Sequence, residues 1–297
     1  MTEVLKQHFE EFLTEKGLGD KSKTGYRIIH NKLIDKLDKG LLLTDEDAII
    51  NEIRNLNFKA STKAKYLLIP ILYRNHYKIS KEKIGDEMKL MKQQETLDSR
   101  VKNTELKSTG ITKTEILSHL DDVGKEIKLY LKKAQPNDKH LSKLIRYYII
   151  NYLIVTYGVR NMDLDLLITD DKVLIKNMDD NYLLVRANDI LYIRNKYKTV
   201  SAYGPQHHII KDNILKKCCR YLLGQRLLQT LSGTKMINIA RYIGEMTYKN
   251  LGEGRLYKIM IDDTQEGNSS LNKIEKLSQS RGSNMNEVVK YYHIDKK

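Results

Sequence analysis

The chain contains very little cysteine, proline or phenylalanine, and no tryptophan. Its only cysteines, Cys218 and Cys219, are adjacent, so a disulfide between them would be strained and the usual ligand spacing of a zinc site is missing. This pattern predicts a reducing compartment and no structural metal. No apolar run approaches the roughly 18 residues that a membrane span needs, and the opening MTEVLKQHFEEFL lacks a signal-peptide core. We therefore expect a soluble, intracellular protein without a membrane partner.

A surplus of positive charge is the main compositional signal. The chain has 52 Lys and Arg against 38 Asp and Glu, a formal net charge of +14, and a pI near 9.4. Such a surplus favours a polyanionic partner, above all nucleic acid. A composition rich in Lys, Asn and Ile is also typical of AT-rich coding sequence, so charge alone leaves both interpretations open. The length of 297 residues predicts two domains.

Helical spacing of apolar residues predicts four helices in the N-terminal part. The first two helices cover 4–16 and 22–37. The third begins at an N-cap in the Thr44-Asp-Glu-Asp run and ends near Leu56. The fourth begins at Ser61 or Thr62, and Pro70 either kinks it or divides it into two helices. A basic edge with interleaved tyrosines fits either a solvated helix face or contact with the DNA backbone. Its members are Lys59, Lys63, Lys65, Arg74, Lys78, Tyr66, Tyr73 and Tyr77.

The region 80–110 loses apolar density, which predicts a charged helix followed by a linker. Directly after it, Thr112 and Glu115 form a capping-box pattern that opens the next helix. We therefore expect a helical domain with its linker over 1–109 and a second domain over 110–297.

The second domain combines an apolar helix with predicted strands. Residues 141–168 predict a buried helix to about Thr156, a turn at Tyr157-Gly158 and a short helix headed by Arg160. The stretches DDKVLIKN, DDNYLLVRA, DILYIRNKYK and TVSAYGPQHHII then predict three or four antiparallel strands. Two helices over 211–241, a third over 238–248, a loop over 262–272 and a helix over 273–280 follow. The expected fold class is mainly α with a small antiparallel β-sheet (α+β).

These segments, in this order, resemble the motifs of tyrosine recombinases of the phage-integrase and Xer class. TYGVRNMDLDLLI resembles the family's first arginine box, with Asp163 where the family often has glutamate. RNKYKTVSAYGPQHHII resembles its lysine-bearing β-hairpin, and LSQSRGSNMNEVVKYYHIDKK resembles the turn and helix that carry its tyrosine. The N-terminal helices resemble the family's core-binding domain, which clamps DNA.

The resemblance implies a set of catalytic roles. Tyr291, followed two positions later by His293, is the implied nucleophile; a phenol has a pKa of about 10, so it needs cationic neighbours. Arg160 is the implied first catalytic arginine, which would hold the scissile phosphate and neutralise its non-bridging oxygens. Lys198 is the implied general acid for the leaving 5′-oxygen, and Lys196 in the same loop is the second choice.

The second basic box and the turn after it depart from the family's pattern. If Arg255 is the second arginine, Gly252 stands where the family has histidine. A different register gives Arg255 the histidine position and Lys258 the arginine position; Arg255 is favoured as second arginine because a guanidinium binds phosphate better than an ammonium. Where the family has a further His or Trp, this chain offers Arg281 or Ser283.

The function implied by the resemblance is that of a site-specific DNA recombinase or integrase. It would join Tyr291 to the DNA 3′-phosphate, work as a homo-tetramer on paired sites of double-stranded DNA, and need no metal or nucleotide cofactor. A type IB topoisomerase and a non-catalytic DNA-binding protein of the same fold are the alternatives. The composition suits a virus or mobile element. The residues expected to contact DNA are Lys59, Lys63, Lys65, Arg74, Lys196 and Lys258.

Overall fold

The structure is a computed structural model that describes residues 2–36, 45–72, 81–133, 138–228, 236–266, 275, 278–281, 283 and 288. The chain divides into two compact units, Met1–Lys102 and Asn103–Lys297. Helices predominate, and the described strands form one sheet in the second unit. Among the described residues, no helix has the length and apolar character needed to cross a membrane.

The first unit is helical, as predicted. Its helices are α1 (Thr2–Glu15), α2 (Asp20–Ile34), α3 (Glu46–Asn55), α4 (Ala60–Leu72) and the first part of α5 (Lys81–Ser108). Asp45 caps α3 by accepting a hydrogen bond from the Ala48 amide at 3.0 Å, and α4 continues through Pro70 as one helix. Tyr66 lies in the hydrophobic core at 3% exposure. The assignment of Tyr66 to an exposed basic edge, whether solvated or in contact with DNA, is therefore wrong.

The predicted linker before residue 110 is also wrong. Helix α5 runs without interruption through this region to Ser108. The stretch is rich in Lys, Glu, Gln, Met and Leu, which are strong helix formers, and it has no proline. Low apolar density here marks an exposed helix, with Leu90, Leu97 and Val101 all more than half exposed.

The capping box at Thr112 is confirmed, and it opens α6 (Lys113–Leu131). The Thr112 hydroxyl accepts a hydrogen bond from the Glu115 amide at 3.1 Å. Hydrogen bonds from Lys249 and Tyr248, and one from the Thr112 backbone, lower the pKa of the Glu115 carboxyl. Glu115 thus closes the cap and also ties α6 to a segment more than 130 residues away.

Helix α7 (Lys139–Tyr157) is the buried helix expected from the apolar stretch, and it runs through the main core of the second unit. Asp138 caps its start, and Gly158 ends it in the left-handed region at φ 59°. A Cβ at Gly158 would lie 2.6 Å from the Tyr257 ring. Glycine is required there both by the backbone angle and by the close approach of Tyr257.

The sheet has the order β1 (Leu166–Thr169), β2 (Asn181–Val185), β3 (Ile190–Arg194) and β4 (Gln206–Ile210). The β2–β3 and β3–β4 pairs are antiparallel, but β1 and β2 are parallel. The α+β class is confirmed, whereas the fully antiparallel sheet is wrong because the sheet is mixed.

Two segments differ from the sequence prediction, and together they account for the parallel pair. Residues 166–169 form β1 rather than the end of a short helix, and DDKVLIKN forms a 3₁₀ turn (Leu174–Lys176) rather than a strand. Val173 and Leu174 in that turn are 67% and 46% exposed. A short apolar run does not by itself distinguish a strand from a helix or a turn. The segment that contains the 3₁₀ turn brings the chain back, so that β2 runs parallel to β1.

The remaining elements of the second unit are α8 (Val200–Tyr203), α9 (Asn213–Tyr221), α10 (Met236–Glu245) and α11 (Gly252–Glu266). The predicted strand over 199–210 begins as α8 and becomes β4 only at Gln206. The second helix predicted before residue 241 is wrong over 224–227, because Gly224 and Leu227 donate backbone hydrogen bonds to Ile168 and Leu166 of β1. Helix α11 also extends into the predicted loop over 262–272. Within 273–280, the described residues are helical.

Candidate active site

Arg160 lies in the turn after α7 and heads a 3₁₀ helix (Asn161–Leu164), as predicted. Its backbone amide donates to Oδ2 of Asp163 at 3.1 Å. Its half-buried guanidinium donates through Nη2 to the Ser283 hydroxyl at 3.1 Å. Residues 123 positions apart are therefore in contact, and Ser283 lies against the first arginine box.

Arg281 also contacts the first arginine box, which we call the Arg160 box from here on, and it is 5% exposed. Its Nη1 donates to the Gly158 carbonyl at 2.9 Å, and its Nη2 donates to Oε1 of Glu253 at 2.7 Å. Its guanidinium also lies 4.1 Å from the centre of the Tyr257 ring. The other oxygen of Glu253 accepts from the Asn161 amide at 2.5 Å. Arg281 thus joins α11 to the Arg160 box, and Ser283 is the residue that contacts the Arg160 guanidinium.

A buried ion pair between Arg194 and Asp163 lies behind Arg160. Both side chains are fully buried, and Arg194 Nη2 lies 2.5 Å from Asp163 Oδ2. Arg194 Nη1 donates to the side chain of Gln206 at 2.7 Å and to the carbonyl of Ser280. Burial raises the pKa of Asp163, and the positive charge of Arg194 acts in the opposite direction.

Arg194 is a positioning residue that the sequence interpretation missed. Through Asp163 it holds the backbone of Arg160, through Ser280 it holds the segment before Ser283, and its guanidinium lies 4.7 Å from the Tyr197 ring in the lysine loop. The available signal was an arginine at the end of the apolar strand ILYIR, where a buried side chain is expected.

The loop after β3 presents Lys196 and Lys198 to solvent. Tyr197 between them is 6% exposed and donates its hydroxyl to the Gly204 carbonyl at 2.5 Å. The Asn181 side chain pairs with both backbone polar groups of Lys196, at 2.8 and 2.9 Å. The loop is therefore anchored at Tyr197 and Lys196, and it is linked to the Arg160 box through Arg194.

Helix α11 turns Arg255 away from the face that contacts the Arg160 box. Glu253 and Tyr257 occupy that face, since they contact Asn161 and Arg281. Arg255 follows Glu253 by two positions, or about 200° around the helix, and is exposed. The structure thus gathers Arg160, Arg281 and Ser283, and does not bring Arg255 onto the same helix face; its role stays a prediction.

The other predicted cations lie in varied settings. Lys258 is half-buried and donates to Asn103 Oδ1 at 2.5 Å. Lys59 and Lys65 are exposed, whereas Lys63 donates to the Arg54 carbonyl at 2.6 Å and so caps the end of α3. The following predicted residues lie outside the part of the chain that the structure describes: Arg74, Lys78, Tyr73, Tyr77, Tyr291, Tyr292 and His293.

A cavity of about 480 Å³ lies between the end of α7, β4 and Ser280. His208 lines it and packs against the rings of Tyr157 and Tyr192, at centroid distances of 4.6 and 6.0 Å. Burial lowers the pKa of His208 to about 4. Its imidazole is therefore neutral at pH 7 and adds no charge to the cluster.

The described groups of the site suit an anion. The Arg160 guanidinium and the Ser283 hydroxyl are hydrogen-bond donors of the kind that bind phosphate oxygens. The nearby carboxylates of Asp163 and Glu253 are neutralised by Arg194 and Arg281. No group of three or more His, Cys, Asp or Glu within the described residues is placed to hold a metal ion. Comparisons with protein families, curated proteins and solved structures found no match.

Proposed function

We propose that the protein is a site-specific DNA recombinase or integrase that breaks and rejoins DNA through Tyr291. The contact between Arg160 and Ser283 carries this proposal. Tyr291 follows Ser283 by eight positions, and eight residues span at most about 28 Å when extended and about 12 Å as a helix. This chain length would allow Tyr291 to reach a phosphate bound by Arg160, which supports the proposal.

The proposed reaction is a transesterification at one phosphate. The Tyr291 oxygen forms a bond to phosphorus and its proton passes to solvent, while the bond from phosphorus to the 5′-oxygen breaks. Arg160 neutralises the charge that develops on the non-bridging oxygens. Lys198 donates a proton to the leaving 5′-oxygen. The resulting 3′-phosphotyrosine keeps a bond of similar energy, so the same steps in reverse rejoin DNA without a cofactor, and four copies on paired sites exchange strands.

Covalent trapping tests the proposal. The full chain is incubated with duplexes from the ends of its encoding element, each nicked next to a candidate scissile phosphate so that the short 5′-hydroxyl fragment diffuses away. We expect an SDS-resistant protein–DNA adduct, with the nucleotide mapped by mass spectrometry to the peptide that contains Tyr291. Tight duplex binding with no adduct on any such substrate would leave the binding-only alternative, and relaxation of any supercoiled plasmid without paired sites would favour the topoisomerase.

Arg160→Ala is expected to slow adduct formation by about 10²–10³-fold, or roughly 3–4 kcal/mol in the activation barrier, because the phosphate loses its main charge partner. Arg160→Lys keeps the charge but loses the guanidinium fork, so its rate of adduct formation should lie between that of the parent chain and that of Arg160→Ala. The measurement is the single-turnover rate on the nicked duplex.

Arg241→Ala is the matched control, since Arg241 is 83% exposed on α10 in a pair with Glu245. Its adduct rate should stay within about twofold of the parent, because exposed pairs contribute little. If Arg160→Ala, folded by near-UV circular dichroism, reacts as fast as Arg241→Ala, then Arg160 does not bind the scissile phosphate.

A further inference from the structure

One face of α6 is basic at its edges and apolar at its centre. Lys125, Lys128, Leu129 and Lys132 occur at helical spacing and so lie on a single stripe. All four are exposed; Leu129 lies in the last turn of α6 at 63% exposure, and Lys132 is the C-cap of the helix. The opposite side of α6 is buried in the core. Packing of the opposite face against the core therefore fixes α6 and leaves this stripe exposed to solvent.

Helix α9 presents a matching stripe across from it. Lys217, Arg220 and Tyr221 are also spaced for one helix face, and the buried face of α9 carries Leu215 and the two cysteines. The two helices approach closely at Gly124, where a Cβ would lie 3.0 Å from Ile214. Side chains of the two helices line an open groove of about 720 Å³. We call it the α6–α9 groove.

The charges around the α6–α9 groove are of one sign. Its described lining holds five Lys or Arg side chains and no acidic side chain. One of the five, Lys125, is paired with Asp122 on the same helix, at 2.7 Å and with both side chains well exposed. An exposed pair of this kind contributes little and is readily exchanged for another acidic partner.

The apolar centre decides between possible occupants. A phosphate backbone would use the cations but would gain nothing from burying Leu129, and duplex DNA does not insert apolar groups into a pocket between helices. An amphipathic helix uses both features, because its apolar row fills a groove while its flanking residues meet the rims. With basic rims, those flanking residues must be acidic.

We propose that the α6–α9 groove is a docking site for an acidic amphipathic helix of a partner protein. Leu129 and Tyr221 contact the apolar row of that helix, and the rim cations pair with its carboxylates. This role is independent of the recombinase chemistry, because the groove lining contains none of Arg160, Arg281 and Ser283.

Fluorescence anisotropy with a synthetic probe tests the proposal. The probe is a fluorescein-labelled helical peptide of about 18 residues, long enough for stable helix formation with favourable side-chain pairs. It has leucines in one row and glutamates on both flanks. We expect saturable binding that weakens with added salt. Leu129→Ser and the double variant Lys217→Ala/Arg220→Ala should each weaken binding by about tenfold or more, as central contacts do.

Matched variants separate this groove from general charge attraction. Val173→Ser removes an apolar side chain that is 67% exposed elsewhere on the second unit, and Lys172→Ala/Lys176→Ala removes two exposed cations there. Both should bind the peptide within about twofold of the parent, since they lie outside the contact. Equal losses in groove and control variants, or no loss in Leu129→Ser, would overturn the proposal.

Duplex DNA provides the decisive competition. A duplex of about 20 base pairs should not displace the peptide, and Lys217→Ala/Arg220→Ala should bind that duplex with nearly unchanged affinity. Displacement of the peptide by the duplex, together with a loss of duplex affinity in the double variant, would show that the groove contacts DNA instead. A failed trapping experiment with intact peptide binding would remove the proposed function and leave the docking site standing.

Discussion

Tyr291→Phe is expected to abolish covalent adduct formation on nicked duplexes while leaving duplex affinity unchanged. The substitution removes one hydroxyl and keeps the ring, so it deletes the proposed attacking oxygen and makes no other chemical change. No other atom of the side chain can form the phosphodiester bond, so the residual rate should fall below detection. The measurement is the yield of SDS-resistant adduct at saturating protein, with binding followed in parallel by anisotropy.

Tyr292→Phe is the matched control for this prediction, because it makes the same chemical change at the next position. Its adduct yield should stay close to that of the parent chain. If Tyr292→Phe loses the adduct and Tyr291→Phe keeps it, then the neighbouring tyrosine is the nucleophile. An adduct that survives in both variants would place the covalent bond on another residue.

Arg194→Gln is expected to destabilise the second unit by about 3–5 kcal/mol, because removing one member of a buried ion pair leaves the other charge without compensation. Asp163 is fully buried, and its pKa is already raised by burial. The neutral amide also cannot reproduce the contacts of the guanidinium with Gln206 and the Ser280 carbonyl. Urea unfolding of the full chain, followed by near-UV circular dichroism, gives the change.

Two further variants make the Arg194 result specific. Asp163→Asn combined with Arg194→Gln removes both charges and should cost less than the sum of the two single changes. Arg241→Gln breaks an exposed pair with Glu245 and should stay within about 0.5 kcal/mol of the parent. A loss below about 1 kcal/mol for Arg194→Gln would show that water or a rearranged neighbour compensates Asp163, which contradicts a dry, buried pair.

The features that follow local rules could be predicted from the sequence. The apolar period of 141–156, the Thr112 cap and the glycine after α7 each depend on residues within a few positions, and each is present. Arg160 at the head of a short helix also follows from the turn at Gly158. The α+β class could be inferred because the strands and helices have different apolar spacing.

The features that depend on distant partners could not be predicted. The parallel β1–β2 pair requires the chain to turn back through a stretch whose apolar residues are exposed, and spacing alone does not show this. The Arg194–Asp163 pair joins residues 31 positions apart. The contact of Ser283 with Arg160 spans 123 positions. Nothing local to Ser283 distinguishes it from Arg281 as the residue that meets the arginine.

The guanidinium of Arg194 joins three segments of the second unit, and this affects which substitutions the protein can tolerate together. Arg194 contacts Asp163, Gln206 and the backbone at Ser280, and its ring partner Tyr197 precedes Lys198. Substitutions at these positions act on a common network, so their effects are expected to be non-additive. Epistasis should therefore concentrate here, and a tolerated change at Asp163 will depend on which residue occupies position 194.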